Sequence, residues 1–157
     1  MIRNRKGEIF LKMRTYSPKK DDYQEKWFLV DASEQTLGRV ATKVASILRG
    51  KHLPTFAPHM SPKTHVIVVN ADKVQLTGKK LYTKRYYHHT GYPGGIRSMT
   101  AEQMQENKPG DMFRHAVWGM IPKNKLGRAT MKRLRVYTGP DHPHKAQNPE
   151  KIETEKS

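Results

Sequence analysis

Residues 79–95 combine three kinds of chemical group that bind nucleic acids. They include four Lys or Arg, four Tyr, two His and three Gly, and they contain no Asp or Glu. Cations bind phosphates, flat rings stack on unpaired bases, and glycines let backbone N–H groups approach an anion closely. The alternative is an ordinary solvated loop in which two tyrosines anchor the segment to the core. The predicted nucleic-acid contacts are Lys79, Lys80, Lys84, Arg85, Tyr86, Tyr87, His88, His89, Gly91, Tyr92, Gly94 and Gly95.

A second basic segment, residues 121–135, carries six Lys or Arg and no acid. On a helix that starts near Asn124, the side chains of Lys125, Arg128 and Lys132 share one face, and the helix N-terminus adds its own attraction for phosphate. A solvated, lysine-rich face is the alternative, but such a face normally has acids among its cations. The predicted contacts are Lys123, Asn124, Lys125, Gly127, Arg128, Lys132, Arg133 and Arg135.

Nearly all of the net positive charge lies in the part of the chain that carries folding signals. The whole chain has a formal charge of +16, and residues 35–140 hold 19 Lys or Arg against four Asp or Glu, a net charge of +15. Like charges on a compact surface repel one another, so this body needs a partner that supplies negative charge. The densest biological source of negative charge is a nucleic-acid backbone.

Other chemistries find little support in the sequence. Residues 77–80 (TGKK) lack the upstream glycine and the Ser or Thr of a phosphate-binding P-loop. His142 and His144 form only a weak metal pattern, because no third ligand follows at a recognised spacing. The chain has no cysteine, which excludes disulfides and thiolate chemistry. The sequence thus predicts no catalytic residue, no metal, no cofactor and no small-molecule substrate.

The hydrophobic pattern predicts the elements that hold the basic segments. Residues 27–30 are an apolar run of strand formers. From Thr36 to Gly50, apolar residues recur every three or four positions, which predicts an amphipathic helix with Thr36 as N-cap and Gly50 just beyond its end. Residues 65–69 are apolar without alternation, as in a parallel strand buried on both faces. Strand, helix and strand at this spacing predict a right-handed βαβ unit in an α/β fold.

The second half of the chain is predicted to contain shorter elements. Thr100 and Gln103 fit a capping box, so a helix should begin there, and residues 108–110 should interrupt it. The other predicted elements are a strand at 74–76, a helix across 112–120, a short helix from Asn124 through Arg133, a strand at 134–137 and an extended tail after Pro140.

Length and hydrophobicity indicate one domain. With 157 residues and 35% hydrophobic content, the chain can bury one core and is too short for two ordinary domains. No run approaches the roughly 18 apolar residues that a membrane span needs. The first twelve residues lack an apolar stretch and a small-residue cleavage site, so they do not fit a secretory signal, and they make a poor transit peptide. We expect a cytoplasmic protein without a membrane partner.

Eight short motifs occur in a fixed order along the sequence. Together they indicate a protein family far more specifically than any one of them does. They are KWFLVDA at 26–32, TLGR at 36–39, ASILRGK at 45–51, VIVVNA at 66–71, LTGKK at 76–80, HTGYPGG at 89–95, GMIPKNKLGR at 119–128 and YTGPDHPH at 137–144. With them the chain resembles the family of bacterial-type ribosomal protein thirteen of the large subunit. The resemblance covers residues 13–150, nearly the whole chain.

The resemblance implies a fold, a partner and a role. The fold is a three-layer, single-domain α/β structure with a small, mainly parallel sheet flanked by helices. The partner is large-subunit rRNA of the 23S type, beside neighbouring large-subunit ribosomal proteins, and the role is non-catalytic and early in subunit assembly. Within the family, residues 79–95 and 123–135 would face the rRNA, in agreement with their chemistry. The positions that complete the candidate RNA contacts are Arg39, Lys43, Arg49, Lys51, His142 and His144.

The chain departs from the family in two places. The family usually begins near Met13, so residues 1–12 are predicted to be an extra basic arm before a domain at 13–140 and a tail at 141–157. Before the second strand the family commonly has an Asp-x-Gly-Asp run, where this chain has MSPKT at 60–64. Two acids and a glycine are lost there, and a cation is gained.

Two other functions use similar chemistry. A nucleoid-type DNA binder or a nucleic-acid enzyme would show a recognition helix, a duplicated dimer motif or paired metal-binding carboxylates, and the sequence has none of these patterns. A regulatory protein that binds a messenger RNA would share the sequence features described above, so that alternative stays open. The choice between a bacterial and an organellar ribosome also stays open.

Overall fold

The computed structural model describes residues 17–152, together with the backbone of two short antiparallel strands before them, β1 (Ile2–Arg3) and β2 (Ile9–Phe10). Most of the predicted arm at 1–12 and the end of the tail at 153–157 lie outside the described residues. The strands that follow are β3 (Lys26–Asp31), β4 (Thr64–Val69), β5 (Arg85–His89), β6 (Ile96–Thr100), β7 (Leu134–Val136) and β8 (Glu150–Ile152). The helices are α1 (Leu37–Arg49), α2 (Lys80–Thr83), α3 (Ala101–Asn107), α4 (Pro109–Met120) and α5 (Lys125–Met131).

Four parallel strands in the order β7-β4-β3-β8 form the central sheet. The two middle strands are in register from Lys26 opposite Thr64 to Asp31 opposite Val69. α1 connects them, so the predicted strand, helix and strand are confirmed. The fold is therefore α/β with a mainly parallel sheet flanked by helices, as expected from the sequence.

Helix α1 has the predicted start and end. Thr36 occupies the N-cap with extended backbone, but its hydroxyl makes no capping bond and is buried without a partner among the described residues. At the other end Gly50 has a φ of 73°, and the N–H groups of Gly50 and Lys51 donate to the carbonyls of Ile47 and Ser46. A helix end of this kind needs the left-handed conformation that glycine adopts without strain.

One apolar cluster between the sheet and the helices forms the core. Val30, Val66 and Val68 of the sheet are fully buried in this cluster, as are Leu48 of α1 and Phe113 of α4. Burying a side chain of this size contributes about 1.5–3 kcal/mol relative to leaving it exposed. The two longest helices thus lie on one face of the sheet and supply most of the apolar surface that covers it.

The opposite face of the sheet is covered in part by aromatic rings and by the chain after β7. Side chains alternate along a strand, so Trp27 and His65 point away from the core cluster. Their rings stack with centroids 4.2 Å apart. The His144 ring lies 5.3 Å from the Trp27 ring, and its Nε2 is hydrogen-bonded to the Tyr137 hydroxyl at 2.9 Å. These contacts hold the start of the tail against the sheet.

The tail also contributes a strand that the sequence did not predict. β8 pairs in parallel with β3, with Leu29 opposite Lys151, and forms one edge of the sheet. Of its three residues only Ile152 is apolar, so the segment carries no strand signal of its own. Its position follows from the need of the β3 backbone for hydrogen-bond partners on that side.

Two predicted elements are shorter than expected. In the strand predicted at 74–76, only Gln75 pairs, through a bridge to Thr36, because the chain opposite it enters α1 at the next residue. The helix predicted from Asn124 through Arg133 is α5, which ends at Met131 because β7 begins three residues later.

The capping box predicted at Thr100 is confirmed. The Gln103 N–H donates to the Thr100 hydroxyl at 3.3 Å, and the Thr100 N–H donates to the Gln103 side-chain carbonyl at 3.2 Å. α3 therefore begins at the next residue and ends before Lys108. Pro109 then opens α4, since proline lacks only an N–H that has no helical partner at this position.

The His65 side chain makes stability depend on pH. Burial lowers the pKa of His65, Glu25 at 3.4 Å from its Nε2 opposes this, and the charges of Arg133, Arg135 and His144 lower the pKa further. A histidine whose pKa is depressed by folding takes up its proton more readily in the unfolded chain. Acid should therefore favour unfolding, with stability lost as the pH falls below the unfolded pKa of about 6.5.

His65→Phe tests the contribution of His65 to the pH dependence of stability, because it keeps a flat ring beside Trp27 and removes the titrating group. In urea unfolding, the wild type should lose more stability than His65→Phe between about pH 7.5 and about pH 5.5. His59→Phe, at an exposed histidine, is the matched control and should behave as the wild type. An identical pH dependence for wild type and His65→Phe would contradict the assignment.

Candidate nucleic-acid interface

The acids of the body are kept apart from the cations of the two basic segments. Of the four acids between residues 35 and 140, Asp111 pairs with Arg114 at 3.4 Å on α4. Among the described residues, no cation of either basic segment forms an ion pair with a carboxylate. Their charge is left to solvent ions or to a bound polyanion. The other three acids of the body line one shallow groove: Asp72, Glu102 and Glu106.

The first basic segment folds into α2 and the hairpin of β5 and β6. The strands are antiparallel, from Arg85 opposite Thr100 to His89 opposite Ile96. An irregular connection at 90–95 joins them. The sequence predicted the contacts of this segment without predicting the hairpin. The cations and rings exposed on it are Lys79, Lys80, Lys84, Arg85, Tyr87, His88, His89 and Tyr92, which we call the hairpin surface.

Three glycines shape the tip of this hairpin. Gly91 and Gly94 have φ values of 92° and 72°, which other residues rarely adopt. A side chain at Gly95 would collide with the hydroxyl of Thr90, whose N–H donates to the Gly95 carbonyl at 3.0 Å. The Gly91 N–H already donates to Nδ1 of His89 at 2.9 Å. These glycines, predicted as contacts for an anion, thus also have a conformational role.

The hairpin has one face toward the body and one toward solvent. Tyr86 and Met99 lie opposite each other and are half-buried, and Tyr86 packs against the core cluster. Because side chains alternate along a strand, Arg85, Tyr87 and His89 project from the other face, and all three are exposed. Tyr86 is therefore the anchor considered in the sequence analysis, whereas Tyr87 is available to a partner.

The second basic segment is α5 with the residues that flank it. The side-chain carbonyl of Asn124 accepts the Gly127 N–H at 2.8 Å and so caps the helix. Gly127 is buried, and a side chain there would overlap the carbonyl oxygen of Pro122. Both predicted contacts thus help to shape the turn into α5. The cations around them are exposed: Lys123, Lys125, Arg128, Lys132 and Arg135.

The C-terminal end of α1 adjoins the start of α5. Arg49 and Asn124 line the same cleft, and the Arg49 guanidinium lies 5.8 Å from the centre of the Phe56 ring. The next cation, Lys51, is exposed. Arg39 and Lys43 lie on the outer side of α1, nearer its start. The surface formed by Arg49, Lys51, Lys123, Lys125, Arg128 and Lys132 is called the α5 surface below.

Arg133 points into the fold. Its Nη1 donates to the Ser61 hydroxyl at 2.9 Å and to the carbonyl of Pro62. The Ser61 hydroxyl is also 3.3 Å from the hydroxyl of Thr130. Burial lowers the pKa of Arg133, and the charge of Glu25 opposes this. The side chain thus fastens residues 60–64, where the sequence departs from the family pattern, to the junction of α5 and β7.

The two tail histidines lie with the tail and the sheet. His144 contacts Tyr137 and Trp27, and Nδ1 of His142 is buried without a hydrogen-bond partner among the described residues. Within residues 17–152, no group of three or more His, Asp or Glu is arranged to hold a metal ion. None of the helices described above is long and apolar enough to cross a membrane.

Two exposed residues of the hairpin are absent from the contacts predicted from the sequence: Ile96 and Arg97. Arg97 lies directly opposite His88 across the hairpin. A basic residue and an apolar residue following the glycines could have signalled a second strand. The six-residue connection obscured that signal, because short two-residue turns are the strongest sequence marks of a hairpin.

Comparison with known proteins links this architecture to a family. The family model described as Ribosomal protein L13 matches residues 25–143. The chain belongs to the ribosomal protein L13 family. The resemblance found in the sequence is thereby confirmed, and membership of a ribosomal protein family makes the chain a structural component and not an enzyme.

Individual relatives match over most of their length. The chain is 56% identical over 137 residues to the large ribosomal subunit protein uL13 of Thermobifida fusca (strain YX), across 87% of this chain and 92% of that protein. It is 55% identical over 139 residues to the protein of the same name from Geobacillus kaustophilus (strain HTA426), across 88% and 96%. The corresponding protein of Geobacter sulfurreducens is 54% identical over 135 residues, across 86% and 94%.

The internal bonds of Arg133 predict a cost in stability. Arg133→Met keeps an aliphatic stem but removes the donor shared by Ser61 and Pro62, so we expect a loss of about 1–3 kcal/mol in urea unfolding. Arg135→Met, at an exposed position of β7, is the matched control and should cost less than about 0.5 kcal/mol. Equal effects of the two substitutions would show that Arg133 is an ordinary surface cation.

Proposed function

We propose that this chain is a structural constituent of the large ribosomal subunit, where it binds large-subunit rRNA of the 23S type and supports early assembly. The observation that carries the proposal is the presence of two exposed basic surfaces whose cations have no carboxylate partner among the described residues. Family membership supports the same function, since the relatives are named as proteins of the large ribosomal subunit.

Binding would draw its free energy mainly from phosphate neutralisation. Each phosphate that a Lys or Arg neutralises releases counterions into bulk solvent, and this release favours association at low salt. The hairpin surface and most of the α5 surface belong to the chain segment between β4 and β7. RNA segments bound to the two surfaces would therefore be held at a fixed separation, which is how a non-catalytic protein can promote assembly.

The surroundings of the chain are part of the proposal. Other large-subunit proteins would be its neighbours, and the ribosome in the cytoplasm would be its location. The shallow groove with Asp72, Glu102 and Glu106 is poorly suited to contact phosphates, because like charges in contact repel each other. We therefore expect the rRNA to approach from the hairpin and α5 surfaces.

Binding to large-subunit rRNA at several salt concentrations tests the function. The logarithm of the association constant should fall linearly with the logarithm of the salt concentration. For the double variant Lys125→Gln/Arg128→Gln, the slope should be less steep by about 1.8, because each lost duplex phosphate contact removes about 0.9. Filter binding or fluorescence anisotropy gives the required isotherms.

The control removes the same charge elsewhere. Lys73→Gln/Lys108→Gln changes two exposed cations outside both basic surfaces and should leave the slope unchanged. A wild-type affinity without salt dependence would contradict the proposal. Displacement of the rRNA by duplex DNA at equal phosphate concentration would also contradict it, since it would indicate a general polyanion binder.

A further inference from the structure

The outward face of the hairpin is apolar as well as basic. Tyr87 is 69% exposed and Ile96 is 68% exposed, on strands that otherwise carry mostly polar or charged residues. Tyr92 at the tip of the hairpin is exposed as well. Phosphate neutralisation needs only cations, so this concentration of exposed rings calls for a partner that also offers flat, apolar faces.

The strand register leaves the Tyr87 ring uncovered. Tyr87 lies opposite Ser98, whose small side chain cannot cover an aromatic ring, and the neighbouring pair on the same face is His89 and Ile96. Arg85 is the next residue of β5 on this face. A cation, a tyrosine and a histidine thus follow one another along an exposed strand, about 7 Å apart.

The hairpin is a two-stranded sheet of its own, separate from the central sheet. A hairpin of two strands is only marginally stable in water, and here its body-facing side is anchored by Tyr86. The outward side has no covering element in the described chain over most of its length, because its side chains are exposed at Arg85, Tyr87, His89, Ile96 and Ser98. Such a face is well suited to gain stability by binding.

Charge and shape together select the partner. No Asp or Glu occurs between Asp72 and Glu102, so the hairpin attracts polyanions along its whole length. A duplex offers phosphates but keeps its base faces stacked inside, whereas unpaired nucleotides offer phosphates and free base faces together. Exposed rings on an acid-free strand pair fit the second kind of partner better.

We propose that the outward face of the hairpin, formed by Arg85, Tyr87, His89 and Ile96, binds unpaired nucleotides of RNA, with a base stacked on the ring of Tyr87. This inference rests on the proposed function and deepens it by assigning single-stranded RNA to the hairpin surface. Duplex phosphates are then left to the α5 surface. Arg85 neutralises a phosphate beside the stacked base, and His89 borders the next nucleotide.

The test compares two RNA probes and three variants of the full chain. The probes are a single-stranded oligoribonucleotide of about 16 nucleotides, with 2-aminopurine in the middle, and the fully paired duplex of the same sequence. Tyr87→Leu removes the flat ring and keeps apolar bulk, whereas Tyr87→Phe keeps the ring. Tyr82→Leu is the matched control, since Tyr82 is 65% exposed on α2.

Tyr87→Leu should weaken binding of the single strand roughly five- to hundredfold and leave the duplex affinity unchanged, because stacking is lost and phosphate contacts are kept. Its slope of log affinity against log salt should equal that of the wild type. The 2-aminopurine fluorescence should be quenched on binding to the wild type and to Tyr87→Phe, and much less on binding to Tyr87→Leu. Tyr82→Leu should match the wild type in every measurement.

Several outcomes would overturn the inference. An unchanged single-strand affinity in Tyr87→Leu, an equal loss for both probes, or an equal loss in Tyr82→Leu would each exclude base stacking on Tyr87. Unchanged thermal unfolding of Tyr87→Leu ensures that a loss of affinity is not a loss of folding. If one of these three binding outcomes is found while the wild type still binds large-subunit rRNA with a salt-dependent affinity, the proposed function stands and only the base-stacking assignment is wrong.

Discussion

Repulsion among its own cations is the constraint that the rest of this molecule must satisfy. The fold gathers a net charge of +15 into residues 35–140, and three of the four acids available there line one groove instead of lying among the cations. Internal ion pairs therefore do little to reduce the repulsion. In the free chain, burial of the apolar core between the sheet and helices α1 and α4 has to outweigh the repulsion among the cations. In the bound chain, a polyanionic partner can reduce that repulsion.

The part of the chain that forms the central sheet is separate from the part that carries most of the candidate RNA-binding cations. The central sheet and α1 form a compact base, while the chain between β4 and β7 leaves the sheet at Val69 and returns at Leu134. Within that connection lie α2, the hairpin, α3, α4 and α5, so one excursion carries the hairpin surface and most of the α5 surface. Tyr86 fixes the hairpin to the core cluster, and Arg133 fixes residues 60–64 to the end of α5. The segments that carry the cations are thus attached to the fold by packing and hydrogen bonds.

Local signals in the sequence predict those elements whose ends are set by a few neighbouring residues. The end of α1 follows from the left-handed Gly50, and the start of α3 follows from the reciprocal bonds of Thr100 and Gln103, which are properties of a few adjacent residues. The hairpin and β8 depend on partners that are distant or separated by an irregular turn, and their polar strands lack the usual alternation. Arg133 shows the same limit for a side chain, because no pattern near it reveals that Ser61 and Pro62 accept its hydrogen bonds.

The most direct test of this account is the salt dependence of unfolding with and without RNA. Thermal unfolding followed by the fluorescence of Trp27 and Trp118 would be measured from about 50 to about 300 mM KCl, for the free chain and for its complex with large-subunit rRNA. The free chain should become more stable as salt screens its repulsion. At the lowest salt concentration, the complex should unfold at a much higher temperature than the free chain. This difference in unfolding temperature should shrink as salt weakens binding. A free chain that is indifferent to salt, or an rRNA that adds no stability at the lowest salt, would contradict the central role of unbalanced positive charge.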